Sequence, residues 1–100
     1  MRSPCRSDQR YDDEFLQRLR NEIAIARLIQ DLRWPCKVRD GRFVFLCPRC
    51  QETESAVNPR TNLGRCFHCE TNFNPIDFTI SAWRCDFRTA VEHLTTLLLR

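Results

Sequence analysis

Apolar residues in the first third of the chain recur at helical spacing. Phe15, Leu16, Leu19, Ile23, Ala26 and Ile29 or Leu32 form one stripe, which predicts a single amphipathic helix from Asp12 or Asp13. Acidic residues at that start suit the positive end of a helix, and Pro35 stops it. Between positions 37 and 46 the period shortens to two. Arg42, Val44 and Leu46 alternate with Phe43 and Phe45, and Asp40-Gly41 is a strong hairpin signal. Residues 56–58 and 63–66 are two further short strand candidates, on either side of the turn Asn58-Pro59-Arg60-Thr61-Asn62. After Cys69 the helical period returns. Asn74 suits a cap with Pro75 in the first helical position, and Ile76, Phe78, Ile80 and Trp83 supply apolar contacts. Asp86 suits the cap of a second helix, with Phe87, Ala90, Val91, Leu94 and Leu98 along one face. Residues 1–11 are polar and expected to be flexible, leaving 12–100 as the folded unit. The expected fold class is α+β: a small antiparallel sheet flanked by an N-terminal helix and two C-terminal helices.

Two Cys-x-x-Cys pairs, Cys47-Pro48-Arg49-Cys50 and Cys66-Phe67-His68-Cys69, sit at the ends of the strand candidates. The fifteen residues between them are enough for a hairpin that brings the pairs together. Four thiolates suit one tetrahedral Zn²⁺, and such a closed set leaves no position for water or substrate, so the ion is expected to be structural. The spacing lies in the range of zinc sites. Two unrelated thiol pairs are the bland alternative. A redox role for Cys47 and Cys50 would need a strand–helix context and leaves the second pair unexplained. A knuckle, a hairpin and a second knuckle make the layout of a zinc ribbon. Cys5, Cys36 and Cys85 fall outside the spacing and are expected to be free thiols. His68 points out of its knuckle, and His93 falls at the edge of the last helix, so neither is expected to bind metal.

Composition sharpens the picture. One hundred residues bury a thin core, for which a bound metal is a suitable staple. The first twenty residues are dominated by Arg, Asp, Glu and Gln and resemble no secretion signal, so the seven cysteines are expected in a reducing cytoplasm. No run is apolar and long enough to cross a bilayer, and no membrane partner is expected. The net charge is +3, and its location matters more: residues 37–68 hold six basic side chains against three acidic ones. Any polyanion would therefore meet a local patch around the metal site. No Ser/His/Asp set and no paired carboxylates are visible, which argues against an enzyme.

From about Ile23 to Leu98 the chain resembles the N-terminal zinc-binding domain of bacterial and phage DNA primases. The resemblance rests on Leu46-Cys47-Pro48-Arg49-Cys50, on Cys66-Phe67-His68-Cys69, and on the helices that follow without a gap. These are Asn74-Pro75-Ile76-Asp77-Phe78 and Phe87-Arg88-Thr89-Ala90-Val91-Glu92-His93-Leu94. The family's usual histidine ligand falls on Cys50, which keeps the tetrahedral set and makes it more anionic. Gln51-Glu52-Thr53-Glu54-Ser55 stands where the family commonly has a Thr-Pro-Ser-Phe run, and Thr71-Asn72-Phe73 replaces its usual glycines.

The resemblance implies a module that binds single-stranded template DNA and helps place primer starts, with a separate primase catalytic subunit or helicase as partner. Nothing between Met1 and Arg100 resembles the acidic catalytic domain, so the chain alone is expected not to make primers. Lys37, Arg39, Arg42, Arg49, Arg60 and Arg65 are the candidate phosphate contacts. Phe43, Phe45 and Phe67 offer rings for stacking on bases, although Phe43 and Phe45 share a strand face that a small sheet also uses for its core. The competing reading is a zinc-ribbon adaptor that binds a protein partner in replication or transcription.

Overall fold

A computed structural model of the chain describes residues 12–99, so the expected flexibility of residues 1–11 lies outside the described part. Asp12 caps α1 (Asp13–Glu22), its carboxylate accepting from the Phe15 N–H at 2.8 Å. The expected single helix is in fact two. Ile23 is extended at φ −97° and ψ 112°, Ala24 is also extended, and α2 (Ile25–Asp31) begins afresh. Neither Gly nor Pro stands at the break. Its cause is Asn62, some forty residues downstream. The Asn62 side chain accepts from the Ile25 N–H at 2.9 Å and donates to the carbonyls of Arg20 and Ile23 at 2.6 and 2.8 Å. One amide thus satisfies a helix start and a helix end that would otherwise lack partners.

Five strands follow: β1 (Cys36–Arg39), β2 (Arg42–Phe45), β3 (Ser55–Asn58), β4 (Leu63–Cys66) and β5 (Thr71–Phe73). They form one antiparallel sheet in sequence order. Asp40 and Gly41 both take positive φ, 53° and 76°, as a tight two-residue hairpin turn requires. The three-residue strand β5 has no separate sequence signal. It exists because Cys66 pairs with Thr71, so the second knuckle is itself the turn of a hairpin. Strands β2 and β3 pair only at Val44–Ala56 and Phe45–Ser55, and the sheet opens beyond them.

Two more helices complete the fold, α3 (Pro75–Trp83) and α4 (Phe87–Leu98). Asn74 and Asp86 cap them by accepting from the N–H groups of Asp77 and Thr89 at 2.7 and 2.8 Å. The core lies between the four helices and one face of the sheet. Phe78 is its hub, with edge-to-face contacts to Trp34, Phe45 and Phe73 at 5.9, 5.6 and 6.1 Å between ring centroids. Gly64 makes room for Phe45, since a Cβ there would lie 2.8 Å from the Phe45 ring.

Two apolar assignments need correction. Phe87 and Trp83 are 42% and 44% exposed, so Ala90, Val91 and Leu94 carry the buried face of α4. Trp83 instead lies over the ring of His93 at 4.5 Å. Among the described residues, no helix is long and apolar enough to cross a membrane.

Candidate metal centre and sheet face

The first knuckle leaves the end of β2, and the second joins β4 to β5. The main chain shapes both. Cys47 donates its N–H to the Glu52 carbonyl, Gln51 returns a bond to the Cys47 carbonyl, and Phe67 donates to the carbonyl of Glu54. The last bond holds the second knuckle against the segment that runs from the first knuckle into β3. As a result the sulfur atoms of Cys47, Cys50, Cys66 and Cys69 all lie within 4.8 Å of one another. Cys47 Sγ is 3.7 Å from Cys69 Sγ, and Cys50 Sγ is 3.5 Å from Cys66 Sγ. Disulfides need about 2.05 Å, so these are not bonds. A tetrahedron of sulfurs about 2.3 Å from a zinc ion has edges of roughly 3.8 Å, which is close to what the quartet presents. Among the described residues, this is the one group of His, Cys, Asp or Glu side chains placed to hold a metal. His68 is not in it.

Backbone donors are aimed at two of the sulfurs. The N–H groups of Arg49 and Cys50 point at Cys47 Sγ, both at 3.4 Å, and the Cys69 N–H points at Cys66 Sγ at 3.5 Å. Ser55, buried and opposite Cys66 in the β3–β4 register, has a hydroxyl with no conventional hydrogen bond. The acceptor left to it is the Cys66 sulfur. Burial acts to raise the Cys66 thiol, but the Ser55 hydroxyl, the Cys69 N–H and Cys50 outweigh it and bring the group down to about 6. Burial, with the three neighbouring thiols, pushes Cys50 up to about 12, and burial also raises Cys47. The donor set thus fits a soft dication that displaces protons, and the four cysteines hold one Zn²⁺. With zinc bound, the quartet carries about −2. Arg49 bears on that charge, because its Nη1 donates to Thr71 Oγ1 at 3.4 Å, and the same oxygen lies 3.3 Å from Cys69 Sγ.

Strand alternation sorts the remaining candidates by face. Phe45, Ser55, Cys66 and Thr71 are register partners on the helix side of the sheet. Val44, Ala56, Arg65 and Asn72 form the matching row on the outer side, with Lys37 opposite Val44. Arg39 and Arg42 are register partners on that outer side too. Four of the six candidate cations therefore share one face. Arg60 stands on the β3–β4 turn and Arg49 in the first knuckle, both exposed. Phe43 lies on the helix side, half-buried against the core, and Phe45 is 2% exposed and belongs to the core outright. Phe67, 54% exposed, is the ring left open on the cationic side. A groove of about 740 Å³ crosses this side, lined in part by Arg42, Ala56, Leu63, Arg65, Phe67 and Asn72.

Sequence reasoning missed Ser55, Thr71 and Asn72. The role of Ser55 depends on the β3–β4 register and those of Thr71 and Asn72 on the pairing of β5, and neither register shows in the sequence. No curated protein matches the chain. A family model, the CHC2 zinc finger of DnaG zinc ribbons, matches residues 11–98. With the four-sulfur site seated between two ribbon knuckles and the family pattern running through nearly all of the described chain, the protein belongs to the CHC2 zinc finger family of DnaG-type primases.

Proposed function

We propose that the protein is the template-binding module of a DNA primase system. Residues 12–100 act as one zinc-held unit, and single-stranded DNA lies across the outer face of the sheet. A separate catalytic subunit performs nucleotide transfer, with that subunit or a helicase as the protein partner. One observation carries this reading: Lys37, Arg39, Arg42 and Arg65 share the outer face of a sheet whose end is fixed by the metal. Lys37, Arg39, Arg42 and Arg60 have no side-chain hydrogen bond or ion pair among the described residues. Their charge is therefore available to phosphates, and the exposed ring of Phe67 is available to a base.

Zinc here supplies fold, not chemistry, because the four thiolates saturate it. Titration with a single-stranded oligonucleotide at two salt concentrations tests the reading. Phosphate-led binding must weaken as salt rises. Absence of binding at low salt overturns it, and a protein-binding adaptor then becomes the better account. The purified chain, given template, nucleotides and Mg²⁺, is expected to make no primer, and primer formation would refute the division of labour.

A further inference from the structure

One cation on the outer face differs from the rest. Lys37, Arg39, Arg42, Arg49 and Arg60 are exposed, whereas Arg65 is half-buried on β4. Its Nη1 donates to Asn72 Oδ1 at 3.2 Å, and its guanidinium carbon lies 5.7 Å from the centre of the Phe67 ring. Asn72 fixes one end of the fork, and the aromatic face fixes its plane. Both partners are neutral, so the positive charge is not cancelled. Opposite Arg65 in the β3–β4 register stands Ala56, which leaves the groove open beside the guanidinium. The donors not used by Asn72 have no partner among the described residues.

An Arg fork can also hold a phosphate, but the exposed side chains around the groove already supply charge for the backbone. A fork locked in one plane suits a planar edge carrying two neighbouring acceptors. Guanine offers that edge in O6 and N7. Adenine sets a donor beside N7, and thymine shows a lone O4 beside a methyl group. A purine also covers more of an exposed aromatic ring than a pyrimidine does. We infer that Arg65, held between Asn72 and Phe67, reads a guanine in the bound strand and so sets the sequence preference of the module. This rests on the template-binding reading.

The test uses the zinc-loaded chain and thymidine dodecamers carrying one central dG, dA, dC or 7-deaza-dG, which lacks the N7 acceptor. At low salt the dG oligomer should bind about 5- to 150-fold more tightly than plain thymidine, the range for one bidentate pair. The dA and 7-deaza-dG oligomers keep the purine ring but lose the acceptor pair, so they should fall most of the way back towards the thymidine level. In Arg65→Lys, which keeps charge and loses the fork, the ratio of dG to plain thymidine affinity should drop towards one. In Asn72→Ala, an exposed position that leaves the core untouched, it should drop part of the way. Equal binding of dG and 7-deaza-dG, a preference for dC, or a ratio unchanged in Arg65→Lys would overturn the guanine assignment while leaving template binding in place. Failure of every oligomer to bind at low salt would instead remove the template-binding reading, and this inference with it.

Discussion

The side-chain carbonyl of Asn62 accepts a 2.9 Å hydrogen bond from the backbone N–H of Ile25. Asn62 lies at the tip of the β3–β4 hairpin and Ile25 is the first residue of α2, so this contact fastens the sheet to the helical layer. The same amide holds the last carbonyls of α1, and Asn62 itself takes a positive φ of 58°, a backbone region that Asn tolerates better than most residues.

Replacing Asn62 with Ala removes all three bonds and leaves part-buried backbone groups unpaired. Each such group costs about 1–3 kcal/mol, and partial rehydration recovers some of it, so a net loss of about 2–4 kcal/mol is expected. Urea unfolding of the zinc-loaded protein measures it. A change within about 0.5 kcal/mol, the range of an ordinary surface substitution, would show that the amide is not what holds the break.

Gly64→Ala should also destabilise, for a different reason. The new Cβ would lie 2.8 Å from Phe45 Cζ and 3.6 Å from Ile25 Cδ1, inside a packed core. Overpacking of this kind costs about 1–3 kcal/mol. Combining it with Phe45→Leu tests the mechanism, because relief of the clash makes the double variant more stable than the sum of the two losses. Strict additivity would count against a direct collision.

Much of this was legible in the chain, and the boundary has a physical cause. The metal site shows itself because ligands three positions apart are brought together by local geometry, and only the distance between the two pairs needs the fold. The Asp40-Gly41 turn and the caps at Asn74 and Asp86 are local in the same sense. The break between α1 and α2 was not legible, since its cause lies across the molecule at Asn62 and the apolar stripe runs unbroken through it. Phe43 and Phe45 alternate onto one face as expected, but which of them is buried depends on Gly64, a neighbour two strands away in the sheet. The Arg65–Asn72 pairing was hidden for the same reason, because β5 is too short to announce itself.

Zinc affinity should rise steeply with pH. Burial and the adjoining thiols push Cys50 up to about 12, and burial raises Cys47, so near neutrality the metal-free site keeps protons on both. Binding must release at least these two, and by linkage the affinity then climbs by at least about 100-fold per pH unit. The sign is fixed, since acid opposes binding. The loss steepens below about 6, where Cys66 takes up its proton as well. Competition with a chelator at several pH values measures the slope, and a flat profile around neutrality would contradict the four-thiolate site. In Cys66→Ser, zinc content and thermal stability should fall together.

Arg42→Ala combined with Arg60→Ala should weaken single-stranded DNA binding for every sequence. The salt slope should flatten by about 0.7 for each phosphate that is no longer neutralised. Phe67→Ala should weaken binding with little change in slope, because stacking releases no counterions. Zinc content checks that each variant is folded. A double-Arg variant with wild-type affinity at low salt would show that these side chains only face solvent.

The second knuckle is the turn between β4 and β5, while the first hangs from the end of β2. The ion therefore joins parts of the sheet that are not neighbours in its strand order. For the unfolded chain this makes zinc a reversible cross-link from Cys47 to Cys69, and a loop of that length closed covalently is worth about 3 kcal/mol in chain entropy. Whatever strips the metal acts first on the freedom of that loop. The strand β3 lies inside that loop, so its pairing with both neighbours rests on a bond the chain does not itself contain.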